Sequence, residues 1–175
     1  MSHHKQPFDD TPSSFVLNCM DYKSFSKQGL ALDFACGYGR HTHWLASEGF
    51  TVVSCDLAFD GLQTIKKDSE NALCVCIDAR ASLPFDTPLF QLIVVVHYVQ
   101  KGLLSILGKL LAPGGFLIYE TFGGQGENWR FLPVAGELED ELAQDFSVLK
   151  KTVRLLGPEN DQHLNIKLFA QKNYA

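Results

Sequence analysis

Leu30-Ala31-Leu32-Asp33-Phe34-Ala35-Cys36-Gly37-Tyr38-Gly39-Arg40-His41 is the stretch whose reading decides the fold of this chain. An apolar run ends in an acid and a glycine-bearing loop. The amphipathic run His41-Thr42-His43-Trp44-Leu45-Ala46-Ser47-Glu48 follows, closed by Gly49. That order predicts a strand, a tight turn and a helix. Gly37 and Gly39 carry no side chain, so the backbone there can take positive φ and approach a ligand closely. Free N–H groups at the helix start favour a polar or anionic ligand. A second apolar run, Thr51-Val52-Val53-Ser54-Cys55, ends in Asp56. An acid at the end of a second strand, roughly 20 residues beyond the glycines, can accept both hydroxyls of a ribose.

The same spacing argues against a dinucleotide. A pyrophosphate fingerprint needs a third glycine where helix and strand pack, and Thr42 stands there. Asp33 precedes the glycines and would repel a pyrophosphate and attract a cation. A ligand with a ribose, an amino group and no phosphate fits this Asp-x-x-Cys-Gly-x-Gly pattern better. S-adenosylmethionine, with its ammonium and sulfonium, is such a ligand. Leu32 to Arg40 resembles the glycine loop of class I methyltransferases.

Bulk properties narrow the partners. The 175 residues suffice for one domain with a real core. A hydrophobic share of 46% and a charged share of 20% fit a soluble globular chain. A net charge of −5 argues against duplex nucleic acid, which wants a basic face. No apolar run reaches the roughly 18 residues of a membrane helix. Met1 to Gln6 has no hydrophobic signal core, so the cytoplasm is the expected compartment and no membrane partner is expected. The odd count of 5 cysteines argues against a disulfide framework. Cys74 and Cys76 alternate in Leu73-Cys74-Val75-Cys76-Ile77 and read as small core residues rather than zinc ligands. His41 and His43 point in different directions on a helix, so no metal site is predicted.

Along the chain, residues 1–12 read as a flexible N-terminus and 13–175 as a single domain. Helices are predicted over Phe15–Ser26, Arg40–Glu48, Asp60–Lys67, Gly102–Leu111 and Glu137–Ala143. Strands are predicted over Leu30–Phe34, Thr51–Cys55, Ala72–Ile77, Phe90–Val96 and Phe116–Phe122. The run Phe90–Val96 is nearly all apolar, the mark of a parallel strand buried on both faces. Pro113-Gly114-Gly115 reads as a turn before the fifth strand, and Gly123 to Arg130 as a flexible loop. Phe146–Leu156 and Leu164–Lys172 flank the turn cluster Gly157 to Asp161 and predict an antiparallel hairpin. The expected fold class is α/β: a doubly wound, Rossmann-like, mostly parallel sheet with an antiparallel C-terminal edge hairpin in three α/β/α layers. The ligand belongs beyond the carboxyl ends of the strands, where strand order reverses.

The resemblance extends from about Thr11 to Asn173. Thr11-Pro12-Ser13-Ser14-Phe15, Gly37-Tyr38-Gly39-Arg40-His41, Val94-Val95-Val96-His97-Tyr98-Val99, Pro113 to Phe122 and Phe131 to Leu138 are similar to a small bacterial subgroup related to tellurite-resistance and thiopurine-type methyltransferases. The chain departs from that subgroup at His97, where asparagine is usual, in a shortened Gly123–Arg130 loop, and in its C-terminal hairpin.

The resemblance implies S-adenosylmethionine as cofactor, S-adenosylhomocysteine as product, and a small acceptor such as a thiol or metalloid. It implies donor contacts from Asp33, Ala35, the Gly37–Gly39 loop, Arg40, His41, Asp56, Leu57, Asp78, Ala79, Val96 and Phe15. Asp33 and the loop would face the methionine portion, Asp56 the ribose, Leu57 the adenine, and Asp78 with Ala79 the adenine amino edge. Turn or helix-cap roles for Asp33 and Asp56, and a plain strand-end role for Asp78, stay open. Arg40 and His41 either meet the donor carboxylate or form a first-turn surface pair. His97 and Tyr98 are the candidate catalytic residues. His97 could orient an acceptor or act as base, or be a satisfied histidine without a chemical role. Tyr119, Glu120 and Phe122 would wall the acceptor pocket, or be core; Phe15 and Trp129 would form a lid, or Trp129 a surface patch. A non-catalytic nucleoside-binding or sensor module is the rival reading, and a nicotinamide-dependent reductase a weaker one. Monomer and homodimer both stay open.

Overall fold

The computed structural model describes residues 10–22, 29–69, 72–81, 83–124, 131–134, 136–142, 145–156 and 163–174. In chain order they form α1 (Ser14–Met20), β1 (Leu30–Phe34), α2 (Arg40–Ser47), β2 (Thr51–Asp56), α3 (Phe59–Asp68), β3 (Leu73–Cys76), β4 (Phe90–Val96), α4 (Leu103–Leu110), β5 (Leu111–Gly124), α5 (Glu137–Leu142), β6 (Phe146–Leu156) and β7 (His163–Lys172). The seven strands make one sheet in the order β3-β2-β1-β4-β5-β7-β6. β1 pairs in parallel with both β2 and β4, so strand order reverses there and opens a crevice at the carboxyl ends. β7 runs antiparallel to both β5 and β6. The reversed strand is therefore inserted inside the hairpin edge, and the outermost β6 runs with the parallel set. Among the described residues no helix is long and apolar enough to cross a membrane.

The alternation of side chains along each strand splits the core between two faces. Leu32, Phe34, Ile93, Val95 and Leu117 pack against Leu103, Leu104 and Leu107 of α4 and against Leu138 and Leu142 of α5. On the other face Ala31, Val52, Leu92, Val94 and Ile118 pack against Phe15 and Val16 of α1 and Leu45 of α2. Leu62 and Ile65 of α3 pack with Cys36 and Ala72 in a smaller cluster. β4 sits at the centre with both faces covered, as its apolar run requires.

Several predicted bounds shift for local reasons. β5 begins at Leu111, which pairs with Phe90, and the register slips before Leu92 meets Phe116. The Pro113-Gly114-Gly115 turn is thus an irregularity within a longer strand, with Gly114 at φ 77°. α1 stops at Met20 with Asp21 as its C-cap. Gly123 and Gly124 of the predicted loop extend β5, while residues 23–26 of the predicted first helix, residues 125–130 with Trp129, and the 157–161 turn cluster lie outside the described residues. Cys74 is half-buried but Cys76 is exposed, against the expectation of core burial for both, because β3 is the sheet edge.

Helix α4 starts at Gly102, which has φ 76° and no side chain to cap the first turn. Glu141 of α5 supplies the missing acceptor. Its carboxylate takes the N–H groups of Gly102 at 2.8 Å and Leu104 at 3.2 Å. Negative charge at a helix N-terminus also suits the helix dipole. Glu141→Ala is expected to lower stability by about 1–2 kcal/mol in urea unfolding, because it strips both a cap and a charged acceptor.

Candidate active site

The loop after β1 owes its shape to left-handed residues. Ala35 (φ 57°), Gly37 (φ 58°) and Gly39 (φ 86°) bend the chain back from the strand into α2. A Cβ on Gly39 would lie 2.4 Å from Cγ1 of Ile65, so this glycine lets α3 pack against the loop. A Cβ on Gly37 would meet nothing within 4 Å, which leaves open space in front of the loop backbone. Gly61 on α3 completes the arrangement, since a Cβ there would lie 2.4 Å from the Gly37 carbonyl oxygen. Sequence reading missed Gly61; its signal is a glycine inside an amphipathic helix pattern.

Asp56, at the end of β2, ties this loop to the next one. Its Oδ2 accepts the Gly37 N–H at 2.8 Å and its Oδ1 accepts the Ala58 N–H at 2.8 Å. Each oxygen keeps further acceptor capacity. The carboxylate therefore serves as a turn acceptor and still faces a cavity of about 320 Å³ whose walls include Phe34, Ala35, Leu57, Ile77, Asp78 and Ala79. A second cavity of about 400 Å³ is lined by Asp10, Ala35, Cys36, Gly37, Tyr38, Arg40, His41, Val96 and His97. Ala35 lines both, so the two spaces adjoin across the bend.

Several predicted site residues fall elsewhere. Asp33 lines neither cavity. It is 2% exposed and accepts the Thr42 hydroxyl at 2.6 Å, and Thr42 Oγ1 lies 2.8 Å from Ser54 Oγ. Strand alternation puts Asp33 on the face that α2 covers, so it anchors α2 from below instead of facing a donor. Burial pushes its carboxyl up to about 6. Phe15 is not a lid: it is 5% exposed and packs from α1 into the core. Lys150 and Lys167 lie over its ring, 5.7 and 5.6 Å from the centroid.

Asp78 reaches the first cavity, but its carboxylate is held by Arg80, with Nη2 at 2.6 Å and Nε at 2.9 Å. Those hydrogen bonds hold Asp78 down at about 2.

His97 and Tyr98 part company. His97 has φ 61°, and this left-handed turn directs the two residues into different cavities. Tyr98 lines the nucleoside-sized cavity with Asp78 and donates its hydroxyl to Gln100 Oε1 at 2.9 Å. It therefore does not flank His97. The His97 N–H donates to the Glu120 carbonyl at 2.8 Å. Its ring stacks on Phe122 with centroids 4.9 Å apart and planes 19° apart. Desolvation holds its pKa below the ordinary histidine range.

His41 lines the second cavity but is buried, and its Nε2 accepts the Ser13 N–H at 3.1 Å. Desolvation drives it down to about 4, so it is neutral at physiological pH. The Ser13 hydroxyl donates to the Glu120 carboxylate, which also takes Lys167 Nζ at 2.8 Å. Tyr119 is core, with its hydroxyl on the Tyr98 carbonyl at 2.8 Å. Among the described residues no cluster of His, Cys, Asp or Glu could hold a metal ion.

The pattern of this chain has relatives. A family model described as a methyltransferase domain matches residues 31–115. A S-adenosylmethionine-dependent methyltransferase structure from Methanosarcina mazei is similar at 17% identity and TM-score 0.64, covering 94% of this chain and 100% of that one. A S-adenosylmethionine-dependent methyltransferase from Mesorhizobium loti is similar at 16% identity and TM-score 0.66, covering 85% and 94%. The [4+2]-cyclase SpnF is also similar, at 14% identity and TM-score 0.73, covering 90% and 79%. No curated protein matches the sequence significantly. At these identities the structural likenesses establish the class I methyltransferase fold alone.

Asp33 gives a pH test of the corrected placement. Its folded pKa is raised, so its contribution to stability is full below about pH 4 and is lost as pH rises through about 6. His41 acts in the opposite sense: its folded pKa is depressed, so its contribution is present above about 6.5 and lost as pH falls through about 4. Asp33→Asn removes only the first. Relative to the parent, this variant should gain stability between pH 4.5 and 7.5, by up to roughly 3 kcal/mol in paired urea melts. A pH-independent difference would mean that the carboxyl is not desolvated.

Proposed function

We propose that this chain, whose residues 31–115 match a family model of a methyltransferase domain, transfers a methyl group from S-adenosylmethionine to a small acceptor such as a thiol or metalloid. The observation that supports this most is the pair of cavities meeting at Ala35, with Asp56 at one end and Arg40 and His97 at the other. The residues present fit the donor. A carboxylate with spare acceptor capacity faces an apolar, nucleoside-sized space. A glycine with open space before it, beside a guanidinium, faces a second space of matching scale.

When bound, S-adenosylmethionine supplies a methyl group on a sulfonium, whose departure as a neutral thioether needs no acid. Asp56 would take the ribose hydroxyls, and Leu57 and Ile77 would cover the adenine. Val96, at the end of β4, and the loop backbone at Ala35 would wall the junction between nucleoside and amino-acid ends. Holding donor and acceptor in near-attack geometry accounts for most of the expected acceleration. His97, which lines the second cavity, would receive a proton from an acceptor. Its imidazole is kept neutral by desolvation. A neutral imidazole can accept a proton from a thiol, and an acceptor already deprotonated would not need it.

Calorimetry with S-adenosylhomocysteine tests the donor reading. The parent should bind, and Asp56→Ala should weaken binding by about ten-fold or more, in keeping with loss of a charged acceptor. No heat at millimolar ligand would refute it. His97→Gln should lower kcat/KM by roughly 10²-fold or more for a thiol and leave an anionic acceptor unaffected. Donor binding with no transfer to a panel of thiols, metalloids and phenols would favour a non-catalytic nucleoside-binding module.

A further inference from the structure

The upper ends of β5, β7 and β6 carry side chains that the reading above leaves unused. Phe122 of β5 pairs with Asn165 of β7, and Gly124 with His163. Asn165 in turn pairs with Arg154 of β6. Paired residues share a face of the sheet, so Phe122, His163, Asn165 and Arg154 stand together on the face whose lower part packs against α1. Two residues lower on that face, Glu120 is already engaged: it holds Lys167 Nζ at 2.8 Å and takes the Ser13 hydroxyl just ahead of α1. Above that level a row of rings begins. His97, which lines the second cavity, stacks on Phe122 with centroids 4.9 Å apart. Phe122 meets the His163 ring at 5.5 Å and 43°. His97 is exposed, and Phe122 and His163 are half-buried. Arg154 is exposed too, and among the described residues it makes no ion pair or hydrogen bond. The neighbouring cations are occupied: Lys151 pairs with Glu139, and Lys172 donates to the Gly108 and Leu111 carbonyls.

We propose that this row is the acceptor platform and that the acceptor is a flat aromatic ring bearing a carboxylate, with the ring against His97, Phe122 and His163 and the carboxylate on Arg154. The proposal rests on the methyl-transfer reading above and narrows the acceptors named there, since a metalloid anion has no ring for the row to hold. Aromatic rings favour offset-stacked or edge-to-face contact with one another. A guanidinium matches a carboxylate with two parallel hydrogen bonds. The sheet sets the size of the acceptor. β4, β5, β7 and β6 are successive neighbours, so three strand spacings, about 14 Å, separate the backbone at His97 from that at Arg154. Once both side chains reach inward, that gap matches one substituted ring. The reactive atom of such an acceptor falls beside His97 at the rim of the second cavity, and its acid falls over β6.

Probes of one length separate the ring from the charge: 4-(methylthio)benzoate, its amide, and 4-(methylthio)cyclohexanecarboxylate. In calorimetry the parent should bind the benzoate about ten-fold more tightly than either of the others, the scale of one charge-assisted hydrogen bond. Arg154→Gln should weaken the benzoate by about ten-fold and the amide by less than about two-fold, and Arg154→Lys should recover part of that loss. Phe122→Leu should weaken both aromatic probes by about five-fold, the scale of one aromatic contact, and the cyclohexane acid by less than about two-fold. Arg154 is exposed, so its variants are expected to fold, and an unchanged far-ultraviolet circular dichroism spectrum checks this for all of them. Equal affinity of the parent for the benzoate and its amide, or equal losses for the two in Arg154→Gln, would overturn the platform. A parent that binds S-adenosylhomocysteine but not the benzoate would overturn it as well, while leaving the donor reading intact. A parent that binds the benzoate with the stated preferences but not S-adenosylhomocysteine would uphold the aromatic-acid site and overturn the donor reading.

Discussion

Everything at this site depends on the grip of Asp56 on the backbone of the loop after β1. Its carboxylate receives the Gly37 N–H from that loop and the Ala58 N–H ahead of α3. The two strand ends that form one side of the crevice are thereby locked together. Gly39 and Gly61 allow the lock to close, because a methyl group on either would overlap Ile65 or the Gly37 carbonyl. With loop, strand end and helix start held in this way, the two cavities are set side by side with Ala35 between them. Chemistry at the rim then needs only the side chains that the crevice presents.

Strain is concentrated at the same place. Ala35 and His97 are the non-glycine residues at positive φ among those described, and both border the second cavity. A left-handed backbone at such residues costs on the order of 1 kcal/mol or more each and persists only where surroundings impose it. At Ala35 the imposition comes from the pairing of Cys36 N–H with the Cys55 carbonyl at 3.1 Å. At His97 it comes from the N–H bond to Glu120 and the stacking on Phe122. The consequence at His97 is functional: the turn separates an imidazole that faces one cavity from a phenol that faces the other.

The fold was legible where patterns are strong. The apolar runs of β1 and β4 match the observed strands at both ends, since burial leaves a clear pattern; β6 also matches at both ends, though none of its residues is fully buried. Strand–helix alternation followed by a hairpin led to the observed class of sheet. Asp56 and Gly37 stand where their spacing put them, lining the cavities at the ends of β2 and β1, whereas Gly39 lines neither and serves the packing of α3. The site was not legible at Asp33, where spacing along the chain does not reveal that α2 covers that face and that Thr42 would claim the carboxylate. Tyr98 was misplaced because nothing in a histidine announces a left-handed turn. Asp78 lines the expected cavity, but its ion pair with Arg80 on the same loop was not legible, because it appears only once the geometry is known. Phe15 looked like a lid because an aromatic residue near an N-terminus carries no sign of how deeply its helix is seated.

A crystal structure of the chain with S-adenosylhomocysteine tests the central claim most directly. The account predicts the ribose hydroxyls within hydrogen-bonding distance of Asp56, the adenine between Leu57 and Ile77, and the amino acid end in the cavity of Arg40 with Asp33 still bonded to Thr42. A nucleoside seated away from Asp56, or an Asp33 carboxylate turned out to meet the ligand, would contradict it.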